Sequence, residues 1–180
     1  MVIQVFKTVL IFGPPGSGKG TWGGILGKIP GFFHFASGDM FRSLSPESEL
    51  GKMALASIRQ GELVPDEQAL SLWRAQMQNL VTVGTFSPDV HTLMLDGVPR
   101  TPAQAVEVDE DLDIRLILFL DCPDRDLLVQ RLYGRALIEH RVDDANEDII
   151  RRRFEVYDQQ TNATLEHYPK ELVQRVDVSQ

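Results

Sequence analysis

The sequence holds a single cysteine in 180 residues. That excludes an intrachain disulfide and any structural metal centre built from several cysteines, and it fits a reducing compartment. Cys122 is expected to be a small buried hydrophobe. Positive charge is scarce too: 18 lysines and arginines face 26 aspartates and glutamates, leaving a net charge of −8. This argues against a general nucleic-acid or membrane-surface binder, and any anion site must be assembled locally against the overall field. Long apolar runs are missing: none approaches the roughly 20 residues of a membrane-spanning helix. "TVLIF" (8–12) is too short, and too soon broken by Gly13-Pro14-Pro15, to act as a secretory signal. The expectation is a cytoplasmic protein with no nucleic-acid or membrane partner. Internal repeats and low-complexity linkers are also lacking, so one domain over residues 1–180 is expected.

What the sequence does have is a recurrence of short β-rich runs: 8–12, 32–36, 91–96, 114–121 and 172–178. Stretches with helical spacing separate them, among them 48–60, 66–80 and a late segment over 141–161. Strands separated by helices require crossovers, hence an α/β fold: a mostly parallel five-stranded sheet with helices on both faces. "IRLILFL" is almost continuously apolar, as a strand covered on both faces should be. Pro65-Asp66 and Pro123-Asp124 read as helix starts, with Asp66 near an N-cap. Trp73 and Met77, four residues apart, are expected in the core, and Trp22 is expected to pack inward from the first helix. His34, His91, His140 and His167 lack metal-ligand spacing and are read as packing or surface residues.

The first strand runs straight into "GPPGSGKGTW" (13–22). Strand, glycine-rich loop, lysine and helix make up a phosphate-binding loop, and Gly13 to Lys19 fits G-x-x-x-x-G-K. Glycines let backbone N–H groups turn inward around a phosphate, the helix adds its positive end, and Lys19 supplies a point charge. Gly20 stands where a Ser or Thr commonly follows the lysine, with Thr21 one place later. A dinucleotide fingerprint fails because Thr21 occupies the place of its last glycine.

"GPPGSGKGT" resembles the adenylate kinase family, and the resemblance continues along the chain. It runs through "ASGDMFR" (36–42), "GELVPDE" (61–67), "LDGVPRTPAQA" (95–105), "RLYGRA" (131–136) and "HRVDDANEDIIRRRFEVYDQQT" (140–161). Val98 replaces a phenylalanine of the family pattern. The resemblance implies a P-loop NTPase three-layer fold, with a nucleoside-monophosphate lobe at about 36–66 and a short lid at about 135–141. The "ALIEH" between Arg135 and Arg141 leaves no room for a zinc-bearing lid, so Mg²⁺ with ATP and no zinc is expected. The implied reaction is MgATP + AMP ⇌ 2 ADP, with ATP, AMP and ADP as partners. A UMP/CMP kinase and a nucleotide-binding regulator without catalysis are the alternatives.

Phosphoryl transfer asks a protein for positioning, positive charge and exclusion of water. Arginines in glycine- and proline-rich loops suit it, because the guanidinium fork binds phosphate oxygens in pairs. By resemblance, ATP is held by Gly16, Ser17, Gly18, Lys19, Gly20 and Thr21, with Arg131 against the adenine and Arg135 on the phosphates. AMP is held by Ser37, Arg42, Glu62, Leu63, Val64, Gly97, Val98, Pro99, Arg100 and Gln104. Arg141 and Arg153 reach both nucleotides, so that Lys19, Arg100, Arg141 and Arg153 form the catalytic set. Arg151 and Arg152 are read as surface charges. Asp96, at a strand end, and Asp39 are assigned to Mg²⁺ through water. Asp143 and Asp144 can serve as lid hinges, arginine partners or a helix N-cap pair. Gln104 offers an amide to the adenine edge and Ser37 a small hydroxyl, which favours AMP over UMP and CMP. The sequence ends at "VDVSQ", where the resembled family continues into a last helix. Cover for one sheet face is therefore expected from "MVIQVF" or from a partner subunit, in a monomer or a dimer.

Overall fold

The computed structural model describes residues 5–139 and 141–180. The expected cover from "MVIQVF" falls partly on residues 1–4, and His140 likewise lies outside the described residues.

Strands β1 (Phe6–Phe12), β2 (Phe32–Ala36), β3 (Thr92–Asp96), β4 (Leu112–Asp121) and β5 (Val173–Asp177) form one sheet in the order β2-β3-β1-β4-β5. Every pairing is parallel. Ile11 and Ala36 both pair with Asp96, so three strands end level at their carboxyl ends. Ligands of open α/β sheets bind beyond those ends.

Helices cover both faces. Buried Leu70, Trp73 and Met77 of α4 (Asp66–Thr82) and Ala105 and Val108 of α5 (Pro102–Val108) pack with Phe6, Leu10, Leu93 and Leu95 on one face. Trp73 is fully buried, its ring edge-on to Phe6, as the four-residue spacing to Met77 predicts. On the other face, Leu26 of α1 (Lys19–Leu26) and Leu128 of α6 (Arg125–Glu139) meet Val9, Ile11, Met94 and the buried Cys122. The helix α1 sits unusually close to β2. A Cβ at Gly23 would lie 2.2 Å from the His34 ring, so only glycine admits that approach.

Between β2 and α4, helices α2 (Ser37–Arg42) and α3 (Glu49–Gln60) build a small unit. Its cluster of Ala54, Val64 and Ala69 with Leu44 is joined to the main core through Phe41, which packs against both. Residues 135–139 complete the last turn of α6, with Leu137 and Ile138 about 80% exposed, at 80% and 81%.

Two expectations need correction. The late helix does not begin at 141: a short 3-10 turn, Val142–Asp144, precedes α7 (Glu147–Val156). Asn146 caps α7 by accepting from the Asp148 and Ile149 N–H groups, so Asp143 and Asp144 are not its N-cap pair. Pro65 is the N-cap of α4 and Asp66 its first residue, beside the cap as expected, while the Asp66 carboxylate serves partners elsewhere. At the far edge of the sheet, Gln174 to Asp177 of β5 are all exposed.

Candidate active site

The glycine loop answers to packing as well as to any ligand. Gly13 has φ +149°, and a Cβ there would lie 2.6 Å from the Leu120 carbonyl oxygen of β4. Gly16 has φ +82°, with the Leu128 carbonyl oxygen of α6 2.7 Å away in the same test. The loop is thus pressed between β4 and α6 in a backbone form that L side chains rarely adopt. Gly18, also at positive φ, opens α1. Lys19 folds back over the loop, its Nζ donating to the Gly13 and Pro14 carbonyls at 2.7 and 3.0 Å. Burial drives its pKa down from 10.5 to about 7, against the pull of Asp96 and with added push from Arg100, Arg135 and Arg153. A phosphate would restore that charge.

Across the cleft, α2 brings Gly38, Asp39 and Arg42, the loop before α4 brings Glu62, Leu63 and Val64, and the turn after β3 brings Gly97, Pro99 and Arg100. All line one cavity with Gly16, Gly18, Lys19, Gly20 and Asp96. Arg42 donates to Asp39 at 2.7 Å. Arg100 donates only to the Gly97 carbonyl, at 3.2 Å, and no carboxylate among the described residues pairs with it. Burial lowers its pKa, Arg153, Arg42 and Arg135 push the same way, and Asp96 opposes them. Gln104 lines the cavity too and is 3% exposed. It does not face solvent on its helix.

Two residues of this group sit differently from the expectation. Val98 turns into the main core at 2% exposure. Ser37 is buried, and its hydroxyl makes no hydrogen bond. A Cβ on Gly97 would lie 2.3 Å from that oxygen, so it is packed against the turn behind the cavity wall.

The third wall is arginine. Arg135 of α6 donates from Nε to Asp144 at 2.6 Å, and Arg153 of α7 pairs with both Asp144 and Asp143. Both aspartates are buried. Burial works against the Asp144 carboxylate, yet Arg135 and Arg153 outweigh it and hold its pKa below the ordinary value. The arginine-partner alternative therefore describes this pair. Arg141 bridges Glu139 at 2.5 Å and Asp39 at 3.5 Å. Burial and the neighbouring Arg135 and Arg42 lower its pKa against Glu139 and Asp39. Arg152 points elsewhere, to Glu62 at 2.6 Å, and Arg151 pairs with Glu147 on the surface.

A second, open cavity adjoins the loop, lined by Ser17, Thr21, Trp22, Arg131, Val176 and Val178 among others. Trp22 is 46% exposed at its edge, not in the core. Its side chain leans toward Gly18, where a Cβ would lie 3.6 Å from the indole, and the helix face that points into the sheet is taken by Gly23 and Leu26. Sequence reasoning missed Tyr157 and Thr161, which line the first cavity from a π-type turn, Tyr157–Thr161. Nothing in their local pattern marks that turn. Among the described residues, no group of three or more His, Cys, Asp or Glu could hold a metal ion, and no helix is long and apolar enough to cross a membrane.

The comparisons with known proteins agree on one family. The family model described as adenylate kinase matches residues 11–173. The chain is 38% identical over 176 residues to the adenylate kinase of Kocuria rhizophila, covering 94% of this chain and 89% of that protein. Against that of Thermobifida fusca it is 38% identical, with 94% and 88% covered. Against that of Synechococcus sp. (strain WH7803) it is 39% identical, with 90% and 84% covered.

Proposed function

This chain belongs to the adenylate kinase family, and we propose that it transfers the terminal phosphoryl group of MgATP to AMP. An α-phosphate oxygen of AMP attacks the γ-phosphorus of ATP, the bond from that phosphorus to the β-phosphate oxygen breaks, and two ADP result. One observation carries the reading. In a protein of net charge −8, Lys19, Arg42, Arg100, Arg135, Arg141 and Arg153 converge on one cavity from separate segments.

ATP lies along the loop, with Gly16, Gly18 and Gly20 offering backbone to its phosphates and Lys19 their counter-charge. Its adenine and ribose occupy the second cavity, beside Arg131, Ser17 and Thr21. AMP lies on the opposite wall. Arg42 and Arg100 grip its phosphate, Glu62 to Val64 flank its base, and Gln104 reads the base edge. Gly97 and Pro99 shape the turn from which Arg100 reaches in, Val98 anchors that turn in the core, and Ser37 supports it from behind. Arg141 and Arg153 face the transferring group, whose charge is greatest in transit, and so lower the barrier more than they tighten binding. Residues 36–66 act as the acceptor lobe and 135–141 as the lid, closing to exclude water.

Asp96 and Asp39 line the same cavity and offer the hard oxygen atoms that magnesium favours. Two carboxylates suffice for an ion that keeps its waters and leans on phosphate. Bound with ATP, magnesium would supply positive charge to the phosphate oxygens. A coupled assay of ADP formation tests the reading, with ATP fixed and AMP, UMP or CMP varied. AMP should give the highest kcat/KM; equal turnover of UMP or CMP would make the chain a pyrimidine-nucleotide kinase, and no turnover with any would make it a non-catalytic binder.

A further inference from the structure

Gln104 is held at both ends of its amide. Its Oε1 accepts the backbone N–H of Arg100 at 2.8 Å, and its Nε2 donates to an Asp66 carboxylate oxygen at 2.7 Å. Neither partner can exchange roles. A backbone N–H only donates, and an ionised carboxylate only accepts. The amide therefore has one orientation, fixed by chemistry rather than by shape. The other Asp66 oxygen accepts the Thr101 hydroxyl at 2.8 Å, and that hydroxyl accepts the Gln104 N–H at 3.1 Å as the cap of α5. Asp66 thus grips the side chain of Gln104 and the helix start that carries it.

Two bonding positions of the amide stay uncommitted: one N–H on Nε2 and one lone pair on Oε1. Gln104 opens onto the acceptor side of the cavity, beside Leu63, Val64 and Arg100, whereas Asp66 is not part of the cavity lining. A donor and an acceptor on a fixed amide match a ring nitrogen beside an exocyclic amine. They mismatch a protonated ring nitrogen beside an exocyclic oxygen, which would need the amide reversed. With the phosphate gripped by Arg42 and Arg100, the base has little freedom to turn instead.

We propose that Asp66 is a positioning residue that locks the Gln104 amide and so selects a 6-amino over a 6-oxo purine monophosphate as acceptor. The inference rests on the reading of this cavity as the acceptor site. Within that reading it names the group that secures discrimination between purines: the Arg100 N–H alone holds the amide by a single neutral bond, and Asp66 adds a charge-assisted second one that an amide turned over would lose.

The experiment compares kcat/KM for AMP and IMP, which differ at position 6 and the adjacent ring nitrogen, with ATP saturating. The enzymes are the parent, Asp66→Asn and Asp66→Ala. The ratio of the two constants does not depend on how much of a preparation is folded, so a poorly folding variant still reports. The parent should prefer AMP strongly, and the preference should drop about tenfold or more in Asp66→Ala and less in Asp66→Asn, the scale of one fixed amide contact. Constants that fall in parallel, leaving the ratio unchanged, overturn the inference and leave Asp66 a structural link between α4 and α5. A parent enzyme that turns over UMP or CMP as well as AMP would instead overturn the acceptor reading itself.

Discussion

Two groups of cations face the same cavity under opposite conditions. Lys19 and Arg100 have no carboxylate partner among the described residues, and burial pulls both of their pKa values down. Arg135 and Arg153 are tied to Asp143 and Asp144. Burial also disfavours the Arg135 charge, but its hydrogen bond to Asp144 overrides that and raises its pKa. The first group stores unmet demand for an anion: its desolvation is uncompensated until phosphate arrives. The second has its charge already paired, yet the buried Arg135 Nη2 makes no hydrogen bond, so that guanidinium keeps one donor for an incoming phosphate. Floor and flank thus divide the work. On the proposed reading the floor would supply binding, and the flank is a charge cluster that its protein partners hold in place.

The comparison breaks first at Asp144. Its carboxylate is fully buried between two guanidiniums whose side chains are less than a third exposed, at 29% and 19%. Asp144→Ala strands Arg135 and leaves Arg153 only Asp143. Removing one member of a buried ion cluster should cost about 3–5 kcal/mol of stability. Urea unfolding of parent and variant measures it, and a loss below about 1 kcal/mol would put the flank in the class of surface pairs.

Lys19 should respond the other way. Lys19→Met should lose roughly 3–4 kcal/mol of transition-state stabilisation, as for a removed oxyanion donor, yet leave the free protein at least as stable. The pH dependence carries the sign. The unfolded chain keeps the Lys19 proton up to about its ordinary 10.5, whereas the fold releases it above about 7. Between those values the unfolded state binds more protons, so this group makes parent stability rise with pH. Below pH 7 both states are charged and the desolvation cost stands in full. Lys19→Met should lack that rise. Unfolding midpoints at pH 6.5 and 9 test it, and a variant clearly less stable than its parent at pH 6.5 would make Lys19 a packing residue.

The floor was far more legible in the sequence than the flank, for a physical reason. A phosphate loop is contiguous: strand, positive-φ glycines, lysine and helix must follow one another, so Gly13 to Lys19 announce themselves. The strands were legible for a similar reason, as apolar runs cut off by Gly and Pro. The pairing of Asp143 and Asp144 with Arg135 and Arg153 depends on how α6 and α7 approach, and the same two aspartates read equally well as a helix cap. Asp66 starts α4 as a carboxylate after a proline should, but its side-chain partners lie 35 and 38 residues on and leave no local signal. Trp22 lies off the inward face of α1, which Gly23 and Leu26 occupy at the close approach of β2. A hydrophobic residue was read as a core residue where the core had no room.

The finest test separates two adjacent arginines. Successive residues of an α-helix point about 100° apart, so Arg152 and Arg153 cannot both face the cavity. Arg153 lines it, while Arg152 reaches outward to Glu62 at 2.6 Å and Glu155 at 3.0 Å. The Arg152 side chain is 42% exposed and that of Glu62 34%, so solvent and salt screen the pair. Arg152→Ala should therefore cost no more than about 1 kcal/mol of stability and leave kcat within about fivefold of the parent, a range matching that energy. Arg153→Ala should lower kcat far more than it raises KM for either nucleotide, since its charge is best used during transfer. Glu62 nevertheless sits in the loop flanking the acceptor, so Arg152→Ala can loosen that wall, and its effect should appear as a small rise in the AMP KM alone. A kcat loss in Arg152→Ala as large as that in Arg153→Ala would mean that α7 turns on closing and that Arg152 belongs to the flank.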